Sequence, residues 1–291
     1  MNDYLVRATA LGGKVRLFAA RTTNLVEEMR RRHDTFPTAT AALGRTATAA
    51  AIMGAMLKGN EKVTIQVKGD GPIGQIVADA TASGEVRGYV DHPQTHLPSN
   101  AQGKLDVAGA VGREGFLYVI KDLGMKEPYR GSSPIVSGEL AEDFTYYFAK
   151  SEQTPSAVSL GVLVDTDYSV KNAGGFVLQL LPGLEEDEVA ELERRLSRIP
   201  AVTSMLERGL TPEDMMKELV DTLSAVERMD VRFQCFCSRD RVETTLVSLG
   251  KAELDAIIDG DGQAEVVCHF CNEKYQFDRA ELIELRSRLD A

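Results

Sequence analysis

The sequence contains no tryptophan, and aromatic residues make up only 6% of its 291 positions. A surface that stacks bases therefore has little to work with. Basic residues are also in deficit, 33 against 44 acidic, and the net charge of −11 repels phosphate backbones. No nucleic-acid partner is expected. Long uncharged apolar runs are missing too. The most apolar stretch, Thr38 to Leu57, carries Arg45 and many threonines, so no membrane span is expected. The start, Met1-Asn2-Asp3-Tyr4, lacks the basic flank and apolar core of a signal peptide, and a cytoplasmic location is expected. Walker P-loop, G-x-S-x-G and H-E-x-x-H motifs are absent. The string Gly69-Asp-Gly71-Pro-Ile-Gly74 matches G-x-G-x-x-G, but Pro72 and the strand-like Gln75 to Asp79 follow where a phosphate-binding helix is required. It reads as a turn between strands.

Cysteine is absent until Cys235 and then occurs four times, as Cys235-Phe-Cys237 and Cys268-His-Phe-Cys271. In a compartment that keeps thiols reduced, clustered cysteines read as a metal site. Four soft thiolates suit one tetrahedral zinc ion, and an all-cysteine set closes its coordination shell. One zinc per chain is expected on Cys235, Cys237, Cys268 and Cys271. Four unrelated buried cysteines are disfavoured by the pairing. A thioredoxin-type pair is disfavoured because Asn272 to Phe277 does not supply a helix N-terminus beside a βαβ unit. His269 is expected outside the ligand set, and His33, His92 and His96 as loop residues.

The first half alternates turn signals with runs of period two. Leu5 to Ala10 and Lys14 to Ala20 flank Gly12-Gly13 as a hairpin. Asn24 with Glu27 predicts a capping box opening a helix to about Arg32, and Thr38 to Leu57 a second helix rich in small residues. Val63 to Val67, Ile76 to Ala80, Val86 to Val90, Phe116 to Lys121, Val158 to Val164 and Gly174 to Leu181 read as strands, and Leu140 to Lys150 as a helix. Strands in blocks with inserted helices predict an α+β fold.

After Gly183 the composition changes. Residues 185–230 hold 13 acidic against 6 basic residues and four of the nine methionines. Val189, Leu192, Leu196 and Ile199 fall on one helical face, and Thr211-Pro-Glu-Asp214 is a strong helix start. Short helices from Val189 to Val226 are expected, with apolar stripes that need cover. The predicted organisation is an N-terminal mixed-sheet domain with packed helices (1–178), a helical connector (179–230) and a small C-terminal zinc-binding module (231–291). Ser238 predicts a helix cap in that module, and Asp278 with Glu281 a capping box.

Cys235-x-Cys237 with Cys268-x-x-Cys271 resembles the bacterial redox-regulated 33 kDa heat-shock chaperonin family. Ser151-Glu-Gln-Thr-Pro155, Gly174 to Pro182 and Gly74 to Asp79 resemble it as well, in the same order along the chain. The resemblance implies an ATP-independent holdase rather than an enzyme, inactive while reduced and zinc-bound. It implies that Cys235 pairs with Cys237, and Cys268 with Cys271, on oxidation. Zinc release, unfolding of the terminal module, loosening of the connector and capture of unfolding client proteins would follow, with homodimers in the active state. A zinc-dependent binding module and a thiol–disulfide oxidoreductase remain the competing readings. Against a nucleic-acid-binding zinc module stand 12 acidic and 8 basic residues in 231–291.

Overall fold

A computed structural model describes residues 2–289. The expected outer ends of the first and last domains, residue 1 and residues 290–291, lie outside the described residues. The chain divides into two units, one ending at Gln234 and one beginning at Cys235.

In the first unit, β1 (Tyr4–Ala10) sets Val6, Ala8 and Ala10 at alternate positions on one buried face, with Leu5 on the other. A 3-10 turn (Leu11–Gly13) leads into β2 (Val15–Arg21). Gly12 and Gly13 take φ of 66° and 87°, which side chains with a Cβ rarely adopt. Helices α1 (Thr23–His33) and α2 (Pro37–Gly54) follow. Next come β3 (Lys62–Gly69), β4 (Gln75–Thr81), β5 (Glu85–Val90), α3 (Val107–Val111), β6 (Gly115–Asp122) and β7 (Tyr129–Pro134). Helix α4 (Leu140–Lys150) precedes β8 (Ser156–Val164) and β9 (Val170–Leu180). Three short helices, α5 (Glu186–Leu196), α6 (Val202–Glu207) and α7 (Pro212–Lys217), lead to β10 (Ser224–Asp230) and β11 (Arg232–Phe233).

The strands form two sheets, β10-β1-β2-β9-β8 and β11-β5-β4-β3-β6-β7. All pairings are antiparallel except that of β11 with β5. The fold is α+β, as the blocks of strands predict. Helix α2 is buried except at Arg45, and its alanines and threonines pack among residues of both sheets in the main core. Its small side chains permit that closeness. A Cβ on Gly44 would stand 2.6 Å from Val26 Cγ1 and 2.8 Å from Val162 Cγ2. The buried hydroxyls of Thr46 and Thr48 donate to carbonyls one turn back, at 2.9 and 2.8 Å, so they leave no unpaired donor.

Three local expectations change. The Asn24–Glu27 capping box does not form. The Leu25 N–H donates to Asp3 Oδ2 at 2.7 Å, and Glu27 instead pairs with Arg30 and accepts the Val170 N–H. The carboxylate of Asp3, just ahead of β1, outcompetes the local cap because the sheet brings it to the helix start. β7 is an additional strand, polar in sequence and made by its pairing with β6. Residues 224–230 are β-strand, so the helical reading up to Val226 is wrong. The open edge of β1 supplies hydrogen-bond partners, pairing Tyr4 with Asp230 through Arg7 with Glu227.

The expected boundary at 178 falls inside β9, two residues before its end at Leu180. Residues 179–230 belong with the first unit. The reason is a second core. Val6, Ala8, Val15, Leu17, Phe176 and Leu178 on one sheet face pack with Leu192, Val202, Met205, Leu206, Met215, Met216, Leu219 and Val220. The apolar stripes of the short helices are therefore covered by the sheet, and the sheet by them.

The second unit contains α8 (Arg239–Ser248), α9 (Lys251–Asp259), the hairpin β12 (Ala264–Val267) and β13 (Lys274–Phe277), and α10 (Arg279–Ser287). Its core is seven buried residues: Val242, Leu246, Leu254, Ile258, Phe277, Leu282 and Leu285.

Candidate metal centre

The two cysteine pairs sit on different local scaffolds. Ser238 accepts the Arg241 N–H and caps α8, so Cys237 lies just ahead of that helix. Arg241 Nη1 donates to the Phe236 carbonyl at 2.7 Å and braces the Cys-x-Cys turn. The second pair occupies the β12–β13 hairpin. Cys268 N–H donates to the Glu273 carbonyl at 2.9 Å, and Asn272 N–H to the Cys268 carbonyl at 2.8 Å. Asn272 takes φ of 59°, a left-handed conformation that asparagine tolerates well. Arg239 ties the halves together. It donates to the Gln276 carbonyl and pairs with Glu281, and its guanidinium lies 4.4 Å from the centre of the Phe277 ring.

This architecture brings all four Sγ atoms within 4.8 Å of one another, although 30 residues separate the pairs. Cys235 and Cys268 Sγ are 3.7 Å apart, and Cys237 and Cys271 Sγ 3.3 Å. Four sulfurs held about 2.3 Å from one zinc ion stand about 3.8 Å apart, so the arrangement fits a tetrahedral metal. The electrostatics agree. Burial opposes the Cys235 thiolate, but the Cys237 N–H and the neighbouring thiols outweigh it and bring Cys235 down to about 7. Burial pushes Cys268 and Cys271 up, and for Cys271 the bonds to the other sulfurs push the same way. One thiolate is accommodated and further ones need a cation. A divalent ion supplies that charge and holds its thiol ligands deprotonated. These four cysteines form a cluster that could hold a metal ion.

The histidines stay outside the sulfur cluster. His269 is exposed, and His96 Nδ1 hydrogen-bonds Thr38 Oγ1 at 3.0 Å in the first unit. The G-x-G-x-x-G string starts at Gly69, the last residue of β3, and turns the chain into β4. Sequence reasoning missed Tyr275, whose hydroxyl donates to Cys237 Sγ at 3.2 Å. Its place four residues after Cys271 on an alternating strand was the available signal. That bond comes first in holding the Tyr275 hydroxyl protonated, well above its ordinary range.

Polar contacts close the rim of the second core in the first unit. Tyr4 donates to Glu213 at 2.9 Å, with the Arg228 guanidinium 4.2 Å from the centre of its ring. Lys14 pairs with Glu188 at 3.0 Å, and Arg195 with Asp221 at 2.8 Å. Pairs on a rim that solvent still reaches contribute little individually, so the apolar contacts do most of the holding.

Among the described residues no helix is long and apolar enough to cross a membrane. The sequence profile of the Hsp33 protein family matches residues 3–278. A 33 kDa chaperonin from Bacillus cytotoxicus is 56% identical over 287 residues, covering 98% of this chain and 99% of its own. One from Brevibacillus brevis is 56% identical over 286 residues, with 98% and 99% covered. The crystal structure of a 33 kDa chaperonin from Thermotoga maritima, described as a heat shock protein 33 homolog, superposes with a TM-score of 0.94. It is 39% identical and covers 100% of both chains. With profile, relatives and fold agreeing over almost the whole length, the chain belongs to the Hsp33 chaperonin family.

Proposed function

We propose that this protein is a redox-regulated, ATP-independent holdase of the cytoplasm that binds unfolding client proteins under oxidative and heat stress. The observation that carries the proposal is the contrast between a four-sulfur cluster in a thin-cored module and a large apolar sheet face covered only by short helices. Bound zinc would supply a cross-link between the two cysteine pairs. While Cys235, Cys237, Cys268 and Cys271 remain thiolates, they can serve as its ligands, and the module stays folded. Oxidation of Cys235 with Cys237 and of Cys268 with Cys271, the pairing implied by the family resemblance, removes the four ligands. Seven buried residues do not hold such a unit securely by themselves.

The loss is passed on through the chain itself. The Gln234 N–H donates to the Val86 carbonyl at 3.0 Å, one residue before Cys235. The strap ahead of it, β10, is exposed along most of its length and paired on one edge. Once the module melts, strap and connector open, and Val15, Leu17, Phe176 and Leu178 become available to clients and to a second copy in an active homodimer. The test measures zinc content and suppression of client aggregation side by side in reduced and oxidised protein. One zinc and no suppression in the reduced form, with the reverse after peroxide, is the expected result. Equal suppression in both forms would sink the switch. Catalytic turnover of a disulfide substrate would favour the oxidoreductase instead.

A further inference from the structure

The four sulfurs are not equivalent in their outer contacts. Cys235 receives the Cys237 N–H, Cys268 the Phe270 and Cys271 N–H groups, and Cys271 the Glu273 N–H. Cys237 receives a side-chain hydroxyl, that of Tyr275, at 3.2 Å. Tyr275 lies on β13 opposite Val266, with its ring against the small core. The hydroxyl thus reaches from the hairpin that carries Cys268 and Cys271 to a sulfur of the other pair. A hydrogen bond to a thiolate withdraws electron density, and nucleophilic attack by sulfur weakens accordingly. The hydroxyl also occupies one direction from which an oxidant would approach.

We propose that Tyr275 is a positioning residue that restrains attack by Cys237 on oxidants and so delays closure of the Cys235–Cys237 disulfide. The proposal rests on the redox reading above. With hydrogen peroxide, a thiolate attacks one peroxide oxygen, the O–O bond breaks, hydroxide leaves and a sulfenic acid forms. The partner thiolate then attacks that sulfur, expels a second hydroxide and closes the disulfide. The sulfur pair loses two electrons, peroxide gains them, and two protons from solvent convert the hydroxides to water. Tyr275 acts on the first attack when Cys237 makes it.

The test compares reduced, zinc-loaded full-length protein with its Tyr275→Phe variant, which keeps the ring and removes the donor. Iodoacetamide alkylation of each cysteine, followed by peptide mass spectrometry, reads nucleophilicity without any oxidant. Peroxide-driven disulfide formation and chelator-driven zinc loss are followed in parallel. Alkylation and oxidation at Cys237 should rise about fivefold, the scale of one hydrogen bond, with the other three cysteines changed less than about twofold. An unchanged Cys237 overturns the proposal. So does a common acceleration at all four cysteines matched by faster zinc loss to chelator, because that is what loss of packing alone would give. If the variant does not fold, cadmium-loaded wild-type protein replaces it. A slowly exchanging Tyr275 hydroxyl proton in its NMR spectrum supports the bond, and a freely exchanging one overturns it. If wild-type protein forms no disulfide in peroxide while the alkylation contrast at Cys237 persists, the redox reading fails and the restraint by Tyr275 stands.

Discussion

The two units solve the problem of stability differently. The first buries an all-but-buried helix, α2, among residues of two sheets and adds a second core on the far face of one of them. The second spreads a core cluster of seven buried residues over three helices and a hairpin of two four-residue strands, and gathers its cysteines at one point. A unit of the first kind spreads its hold over many buried side chains. In the proposed function, a unit of the second kind would depend on one cross-link through its four sulfurs, and that dependence would suit it to sense oxidants. Between them in character lies the connector, well packed on one side yet made of helices of 11, 6 and 6 residues that are marginal alone.

The largest test of that contrast is removal of the proposed zinc. Structural zinc contributes an apparent 10–16 kcal/mol or so, against about 3–5 kcal/mol from a small core. Chelation, or Cys271→Ser, should leave residues 235–289 without slow amide exchange, while β3, β4 and β6 keep their protection. Residues 186–230 decide the coupling. Their protection should fall in oxidised, chaperone-active protein. If it matches that of reduced protein, the client surface lies elsewhere.

A smaller effect separates the two cores of the first unit. Leu219 is 1% exposed between the connector and the sheet. Leu219→Ala should cost about 2–5 kcal/mol by cavity formation. The cost should fall on connector closure, so the reduced variant should bind an apolar dye and suppress aggregation without oxidant. Unaltered dye binding in a destabilised variant would mean that the connector and the sheet open together with the whole unit.

The smallest effect is pH-dependent. Burial raises Asp3 to about 6, although the Leu25 N–H and Arg21 favour its ionised form. Its Oδ1 is buried without a hydrogen-bond partner. Between pH 3.8 and about 6 the folded chain binds a proton that the unfolded chain has released. Stability therefore falls as pH rises through this window, by at most about 3 kcal/mol from this group. Asp3→Asn should flatten that part of the stability profile and raise stability near pH 7. Chemical denaturation at pH 5 and pH 7 measures it, and an unchanged slope would place the titration on another group.

Much of the molecule was legible in the sequence because the signals are local. Alternation in Val63 to Val67, the hairpin glycines, the caps at Ser238, Thr211 and Asp278, and the close spacing within each cysteine pair all act within a few residues. Each appears where expected. What failed was set by distant partners. Asp3 displaced Asn24 as the cap of α1 because β1 delivers a carboxylate there. Ser224 to Asp230 became a strand because β1 had an open edge. Tyr275 became a neighbour of Cys237 because a hairpin and a helix start meet at the sulfur cluster. Local patterns were enough for the α+β class, the strongly periodic elements and the identity of the four thiols. Where the connector lies, which carboxylate caps α1 and which side chain touches Cys237 depended on the folded chain, since hydrogen bonds and buried faces are completed by whatever the fold brings within reach.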